Sequence, residues 1–376
     1  MNPNPSRRHF LQTVGYAGTA LAALPGAALR AADGGNKKVV LALVGVAHIH
    51  TPGFVSLLNN RDDVRVKYVW DPDEARASKR APHLEAKIVK NVNEVWTDPE
   101  VQGAVVCSET NRHRDLVLAG AKAAKHLFIE KPLGFTGQES REMAAAIEKA
   151  GLLFTTGYFM RTIPQHLFLK EQVAKGTFGK ITRAQAWNCH SGSLGGWFDE
   201  KPNDPANSWR WMADPKQSGV GGFGDLGTHS LDILMWLFGD VASATAEIKI
   251  VTGRYGDCDE SGQGLLQFKN GITATLAAGW VDVANPVSLI ISGTEGHAMI
   301  LNGELYLQSK HIEGADGKQP WKKLPAAPAA PLSQFCDAVG GKQGLPLVTP
   351  SEAAARVSVM DAMYRGAKTH AWVEPA

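Results

Sequence analysis

From residue 38 to about residue 156, short β-branched runs alternate with amphipathic stretches of helical periodicity. This alternation constrains the fold most, because parallel strands need a crossover between them that is usually an α-helix. The runs predicted to be strands are residues 39–44, 64–70, 103–107, 126–129 and 152–156, and the predicted helices are residues 52–60, 111–124 and 137–150. The pattern indicates a doubly wound parallel sheet, an architecture typical of nucleotide-binding domains.

The pattern changes after residue 164, where a tryptophan- and glycine-rich stretch is followed by a succession of strand-like runs. These runs are residues 181–187, 243–251, 264–268, 273–278, 287–292, 298–301 and 304–308. Asn270-Gly271 and Asn302-Gly303 are hairpin signals, and helices are predicted over residues 231–238, 331–339 and 351–368. We therefore predict two domains, residues 37–157 and 158–376, the second being an α+β domain with a large, mostly antiparallel open sheet.

The first 32 residues are predicted to form a signal peptide. Residues 6–12 read SRRHFLQ and precede an apolar run rich in alanine and glycine over residues 14–29, which resembles a twin-arginine export signal. A core helix is the alternative, but Gly15, Gly18 and Pro25 disfavour it, and the run is short for a membrane span. We expect export to the periplasm, with no stable membrane insertion after cleavage.

Charge and composition narrow the classes of partner. The 39 basic and 37 acidic residues leave a net charge of +2, so no overall field favours nucleic acid or an anionic membrane. A hydrophobic content of 44% over 376 residues supports sizeable cores. We therefore expect the protein to bind a small neutral molecule.

The loop after the first predicted strand occupies the position of a dinucleotide-binding fingerprint. The fingerprint is Gly-x-Gly-x-x-Gly, but here only Gly45 matches, with Ala47 and His50 at the other two glycine positions. Ala47 is a mild change, whereas His50 places a ring where glycine permits close packing. Pro52 still favours a helix start, whose free N–H groups can bind an anion. We expect Gly45, Ala47, His48 and His50 to contact the cofactor.

Asp71 closes the second predicted strand, 26 positions after Gly45. A carboxylate there suits hydrogen bonds to the adenosine ribose hydroxyls and repels a 2′-phosphate, so NAD is favoured over NADP. A turn aspartate at a strand end would explain Asp71 equally well by itself. The position of the loop supports the cofactor interpretation.

A second hypothesis for the loops at this sheet edge is that their side chains bind a metal ion. His48, His50, Glu109 and His113 are chemically suited to zinc or iron. Their spacing matches no dense metal motif, and histidines near a nucleotide crevice more often bind phosphate or substrate. We therefore predict no metal.

Two later motifs suggest catalytic groups. Glu130-Lys131-Pro132 follows the fifth predicted strand, and Asp225 and His229 are four positions apart, on one face of a helix. A histidine can take a hydroxyl proton, while Lys131 can stabilise the developing alkoxide. Each residue also has a structural explanation, namely a surface lysine, a helix cap or a core histidine. The three together favour catalysis.

With these motifs the sequence resembles the glucose-fructose oxidoreductase / inositol dehydrogenase (Gfo/Idh/MocA) family. The resemblance spans nearly all of the chain after the predicted signal. It rests on Glu130-Lys131-Pro132, Asn111-x-His113, Trp209-Arg210, Asp225-x-x-x-His229-x-x-Asp232 and Ser292-Gly293-Thr294-Glu295-Gly296. Departures are Ala47 and His50, and Glu109 in place of the usual small residue.

The resemblance implies roles for individual residues. Lys131, Asp225 and His229 become the catalytic group. The implied cofactor is NAD, with NADP less favoured. The residues expected beside it, in addition to those of the loop and Asp71, are Glu109, Asn111, His113, Glu130 and Lys131. The residues expected to line the substrate site are Tyr158, Arg161, Trp209, Arg210 and His229. A homo-oligomer formed through the second domain's sheet is also implied.

The implied activity is oxidation of a secondary or anomeric hydroxyl of a sugar, polyol or glycoside, with hydride transfer to the nicotinamide. One alternative is a redox-neutral glycoside hydrolase or lyase that uses NAD through a transient keto-sugar. Another is a sugar-binding protein with a degenerate cofactor site. Because little NAD is free outside the inner membrane, the predicted export implies a tightly held cofactor that is recycled in place.

Overall fold

The computed structural model describes residues 38–376, so the predicted signal peptide lies outside the described residues. The strands of the first domain are β1 (Val39–Val46), β2 (Val64–Trp70), β3 (Lys87–Ile88), β4 (Gly103–Cys107), β5 (His126–Ile129) and β6 (Phe154–Thr156). Its helices are α1 (Thr51–Asn59), α2 (Glu74–Arg80), α3 (Asn93–Thr97), α4 (His113–Lys122) and α5 (Gly137–Lys149).

These six strands form one parallel sheet in the order β3-β2-β1-β4-β5-β6. The order reverses between β1 and β4, and such a switch point opens a crevice at the carboxyl ends of the strands. The central strands are buried on both faces, as their continuous β-branched runs require. The first predicted architecture is confirmed.

The second domain contains a sheet of eight strands in the order β14-β13-β12-β11-β7-β10-β9-β8. The strands are β7 (Ile181–Cys189), β8 (Val241–Lys249), β9 (Ser261–Phe268), β10 (Thr273–Gly279), β11 (Val287–Gly293), β12 (Gly296–Leu301), β13 (Glu304–Ser309) and β14 (Asp316–Pro320). The helices are α6 (Pro164–Ala174), α7 (Pro215–Ser218), α8 (Gly222–Phe238), α9 (Pro331–Val339) and α10 (Pro350–Thr369). All strand pairs are antiparallel except β7 with β10, so the predicted fold class is confirmed.

Helix α8 begins at Gly222, nine residues before the predicted start. Glycine has a low helix propensity, but the glycines here allow α8 to pack closely against its neighbours. A Cβ on Gly222 would lie 2.7 Å from the carbonyl oxygen of Glu260, and one on Gly224 would lie 2.9 Å from the hydroxyl of Tyr364. As a result, Asp225 and His229 lie one turn apart in the same helix.

The last two helices return to the first domain. Leu332 and Phe335 of α9 pack in one core cluster with Leu41 and Phe128 of the parallel sheet, and α10 packs along α5 and α8. The parallel sheet is therefore covered in part by residues from the end of the chain. Within residues 38–376, no helix combines the length and apolar character needed to cross a membrane.

Candidate active site

Lys131 and Asp225 form a buried ion pair between the two domains. Lys131 follows β5, and its Nζ donates a hydrogen bond of 2.5 Å to Asp225 Oδ1 and contacts the Asp225 carbonyl oxygen at 3.3 Å. The two residues are 94 positions apart in the sequence. The structure therefore brings together two of the three residues predicted to be catalytic.

Trp280, at the end of β10, holds the other oxygen of Asp225. Its indole N–H donates a hydrogen bond of 3.0 Å to Asp225 Oδ2, and the ring is fully buried. Burial opposes ionisation of Asp225, but the charge and hydrogen bond of Lys131 outweigh it and lower the pKa of Asp225 to about 2. Asp225 is therefore an ionised carboxylate held in place by Lys131 and Trp280.

His229, the third member of the predicted group, is buried one turn after Asp225. Its ring lies 6.1 Å from the ring of Tyr158 and 5.0 Å from that of Phe159, measured between centroids. Burial and the neighbouring Lys131 charge lower the pKa of His229 well below 6.5. Its Nδ1 atom is buried and has no hydrogen-bond partner among the described residues. The ring is therefore neutral near pH 7 and can accept a proton.

Glu130, fully buried at the end of β5, faces the two histidines of the loop after β1. Its Oε1 lies 2.9 Å from His50 Nδ1 and 3.8 Å from His48 Nδ1, while its Oε2 accepts a hydrogen bond of 2.9 Å from the Lys131 backbone N–H. Burial opposes ionisation of Glu130, but the two histidines and the Lys131 charge outweigh it and lower its pKa. The loop side chains therefore converge on the same strand end as Lys131.

Gly45 is the loop glycine that the backbone requires. Its φ is +76°, and a Cβ there would lie 2.6 Å from the backbone nitrogen of Ser108, so the ends of β1 and β4 approach too closely for any side chain. This cradle at the switch point, followed by Pro52 in the first turn of α1, fits a bound dinucleotide.

Asp71 lies at the end of β2 as predicted, with its carboxylate held by protein groups. It accepts hydrogen bonds from the backbone N–H groups of Val46 (2.7 Å) and Asp73 (2.8 Å) and from Arg76 Nε (2.9 Å). Arg76 Nη2 donates a second bond of 2.7 Å to Glu109. Glu109 and Asp71 thus share one arginine. Ribose binding by Asp71 and cofactor contact by Glu109 stay predictions.

His113 and Asn111 differ in their surroundings. The His113 ring is buried, with Nδ1 3.1 Å from the carbonyl oxygen of Pro132 and Nε2 3.3 Å from that of Ser108. His113 therefore fastens the Glu130–Pro132 turn to the loop after β4. Asn111 is exposed in a 3₁₀ turn.

The polar groups of two residues expected to line the substrate site are hydrogen-bonded to other protein side chains. Tyr158 is buried, with its hydroxyl 3.0 Å from Thr228 Oγ1. Arg161 donates hydrogen bonds of 2.6 and 2.9 Å to Asp232 and one of 3.0 Å to Glu352. Arg161 therefore anchors α8, and substrate contact by these two residues stays a prediction.

The tryptophan-rich segment before α7 reaches the first domain. Trp211 donates a hydrogen bond of 3.0 Å to the carbonyl oxygen of Ala47, which places its buried ring on the loop after β1. Trp209 lies beneath the Lys201 ammonium, 4.0 Å from the ring centroid. Arg210 donates to the Ala213 carbonyl at 2.7 Å, so its guanidinium turns back into its own segment.

Two family models match consecutive parts of the chain. The NAD-binding Rossmann-fold oxidoreductase family matches residues 39–158, and the GFO/IDH/MocA C-terminal domain matches residues 166–299. The chain belongs to the Gfo/Idh/MocA family. It is thus an NAD-binding oxidoreductase, as the resemblance implied.

Two named relatives and one solved structure are similar to this chain. 1,5-Anhydro-D-fructose reductase of Ensifer adhaerens is 26% identical over 75% of this chain and 82% of its own length. 2,7-Anhydro-N-acetylneuraminate hydratase of Escherichia coli is 24% identical over 69% and 66%, respectively. The solved structure of levoglucosan dehydrogenase with NADH and levoglucosan superposes with a TM-score of 0.71 and 18% identity, covering 90% of this chain and all of that one. The last similarity shows a shared fold.

Sequence reasoning did not identify Trp280, Arg76 or the hydrogen bond of Trp211 to the loop after β1. Trp280 follows a strand and belongs to no recognisable motif, and Arg76 has no sequence feature that distinguishes it from other helix residues. The five-position spacing of Asp71 and Arg76 across a helix start was the one available signal. The pairing of Trp280 with Asp225 spans 55 positions, which local patterns do not report.

Proposed function

We propose that this protein oxidises a secondary or anomeric hydroxyl of a sugar, polyol or glycoside, using NAD. The observation that carries the proposal is the convergence of Lys131, Asp225 and His229 beside the dinucleotide crevice. A neutral base beside a lysine ammonium that is held by a carboxylate can remove a hydroxyl proton and stabilise the charge left on the oxygen. The named relatives include a reductase of an anhydro-sugar, which supports this substrate class.

Each group has a distinct task in this proposal. Neutral His229 accepts the hydroxyl proton, and the Lys131 ammonium stabilises the negative charge that develops on the oxygen. Asp225, held by Trp280, fixes the position of the Lys131 ammonium. NAD, when bound against the Gly45 cradle, supplies the acceptor for the hydride that leaves the same carbon.

We further propose that the cofactor stays bound through successive turnovers, in keeping with the predicted twin-arginine signal and export. Contacts of the second domain with the first support this proposal. Lys79 of α2 pairs with Asp204 at 2.6 Å, its neighbour Arg80 hydrogen-bonds Asn207, and Trp211 bonds the loop at Ala47. These contacts fasten residues 204–211 to α2 and to the loop after β1, and in this proposal the fastened segment hinders release of the cofactor.

A second candidate is redox-neutral hydrolysis or elimination through a transient keto-sugar. In this reaction His229 and Lys131 first assist oxidation at one carbon, the neighbouring C–O bond breaks, and the hydride is returned. A related chain named as a hydratase of an anhydro-sugar favours keeping this candidate. It is also compatible with a cofactor that never leaves.

The test supplies purified protein with sugars, polyols and glycosides without added NAD, and follows both product and the absorbance of reduced nicotinamide. Sustained turnover with a second sugar as oxidant supports the oxidoreductase, and release of aglycone without a net absorbance change supports the hydrolase or lyase. Strict dependence on added, freely exchanging NAD would refute the bound-cofactor proposal.

His229→Ala tests the catalytic assignment. Loss of a general base lowers turnover by roughly 10²-fold or more, so we expect at least this loss in a folded variant. His311→Ala is the matched control, because His311 is an exposed histidine that follows β13 in the second domain. Near-parental activity of His229→Ala would reassign the base.

A further inference from the structure

We propose that His48, His50 and Glu130 form a binding site for a divalent transition-metal ion. One nitrogen from each ring and one carboxylate oxygen all lie within 4.8 Å of one another. The sequence grouped the histidines with Glu109 and His113 because their loops meet at one sheet edge, and it predicted no metal, whereas the fold places His48 and His50 beside Glu130. The inference concerns binding by these three side chains and does not depend on the proposed function.

The distances suit a metal of zinc's size. A tetrahedral Zn²⁺ with bonds of about 2.0–2.1 Å keeps its ligand atoms about 3.3–3.4 Å apart. Glu130 Oε1 lies 2.9 Å from His50 Nδ1 and 3.8 Å from His48 Nδ1, and these two separations bracket that value. The 2.9 Å contact is a hydrogen bond in this structure, so metal binding requires loss of the shared proton and rotation of the side chains until all three ligand atoms, now within 4.8 Å of one another, reach the ion.

The orientation of His48 favours a cation at this point. Its Nδ1 accepts a hydrogen bond of 3.2 Å from the backbone N–H of His50, so this nitrogen carries a lone pair and no proton. The same lone-pair nitrogen faces the Glu130 carboxylate, itself only an acceptor. A cation bound here would replace the His50 N–H as the partner of this lone pair, and it would stabilise two electron-rich atoms that face each other in a buried position.

The three ligands come from a supported frame. His48 donates its backbone N–H to Cys107 of β4 at 3.0 Å, and the second oxygen of Glu130 is held by the Lys131 backbone N–H. Bonds of this kind orient metal ligands. Two imidazoles and one carboxylate are a common set for zinc and for divalent iron.

An ion can reach this cluster from one side. His48 and Glu130 are buried, but the His50 side chain is 37% exposed and borders a cavity of about 470 Å³ whose other walls are mostly apolar. Three protein ligands with one open side match a site that keeps a position for water or a substrate oxygen.

The experiment uses the full chain without an affinity tag, treated with a chelator and desalted. Zn²⁺ binding is measured by titration calorimetry and by metal analysis after gel filtration, with neither sugar nor NAD present. We expect the parent to bind one Zn²⁺ per chain. His50→Ala and Glu130→Gln should each lower the affinity for Zn²⁺ at least ~10-fold, because loss of a residue that only supports a metal ligand already lowers affinity by this factor. His311→Ala should bind as the parent does.

Circular dichroism checks that the variants fold, and His50→Ala is the safer of the two because His50 is partly exposed. Co²⁺ gives a second readout, since its visible absorption reports on its ligands. A visible band in the parent that is lost in His50→Ala supports the site. Parent protein that binds no Zn²⁺, or binding left unchanged in both His50→Ala and Glu130→Gln, would overturn it.

Discussion

Replacing Asp232 by asparagine should destabilise the protein strongly, because this carboxylate anchors the helix that carries Asp225 and His229. Asp232 is fully buried and accepts hydrogen bonds from Arg161 at 2.6 and 2.9 Å and from Arg356 at 2.9 Å. With Glu352 beside Arg161, two positive and two negative charges balance.

The substitution preserves side-chain shape and removes one negative charge, so the cluster gains an unpaired buried positive charge. Removing one partner of a buried pair costs about 3–5 kcal/mol, and we expect the free energy of unfolding to fall by that amount. Asp240→Asn is the matched control. Its pair with Lys269 is exposed, at 3.1 Å, and such pairs contribute about 0–1 kcal/mol.

The measurement is urea unfolding followed by circular dichroism and tryptophan fluorescence for the parent, the two single variants and Asp232→Asn combined with Arg356→Met. The double variant restores charge balance and should recover part of the loss, since replacing a buried pair by apolar groups is often nearly neutral. A loss in Asp232→Asn no larger than that in Asp240→Asn would refute the reasoning.

Three further predictions concern the cofactor crevice and the base. Measured affinities should favour NAD over NADP, and Asp71→Ser should narrow the gap because it removes a negative charge and frees Arg76 to face a 2′-phosphate; equal affinities in the parent would contradict this assignment. Gly45→Ala should weaken NAD binding in a fluorescence titration, because the new Cβ would lie 2.6 Å from the Ser108 backbone at a φ of +76°; parental affinity would show that the loop can move. Because the pKa of His229 is well below 6.5, its neutral form persists as the pH falls from about 8 to about 6. The pH profile of kcat/KM should therefore show no fall near pH 6.5 that is due to His229. A fall near pH 6.5 in the parent that is absent in His229→Gln would contradict this prediction.

Local patterns were sufficient for most of the fold. The strands over residues 64–70, 103–107 and 126–129 match the observed β2, β4 and β5, because β-branched runs bounded by turns report a buried parallel strand directly. The predicted start of α8 was wrong by nine residues, and only the groups packed against Gly222 and Gly224 show why glycine is needed in its first turn. Sequence periodicity reports how a residue suits its own helix or strand, whereas these glycines are needed because other elements pack closely against α8.

For the candidate site, the sequence by itself determined the identity of the reactive groups, since lysine after a strand and Asp225-x-x-x-His229 are local motifs. Only the tertiary structure decided their partners. It joined Lys131 to Asp225 across 94 positions and Trp280 to Asp225 across 55, and it turned Arg161 towards Asp232. It also brought His48 and His50 to Glu130, 80 positions away from His50. The physical reason is that a buried charge must find its counter-charge wherever the packed chain places one, and sequence separation does not enter that requirement.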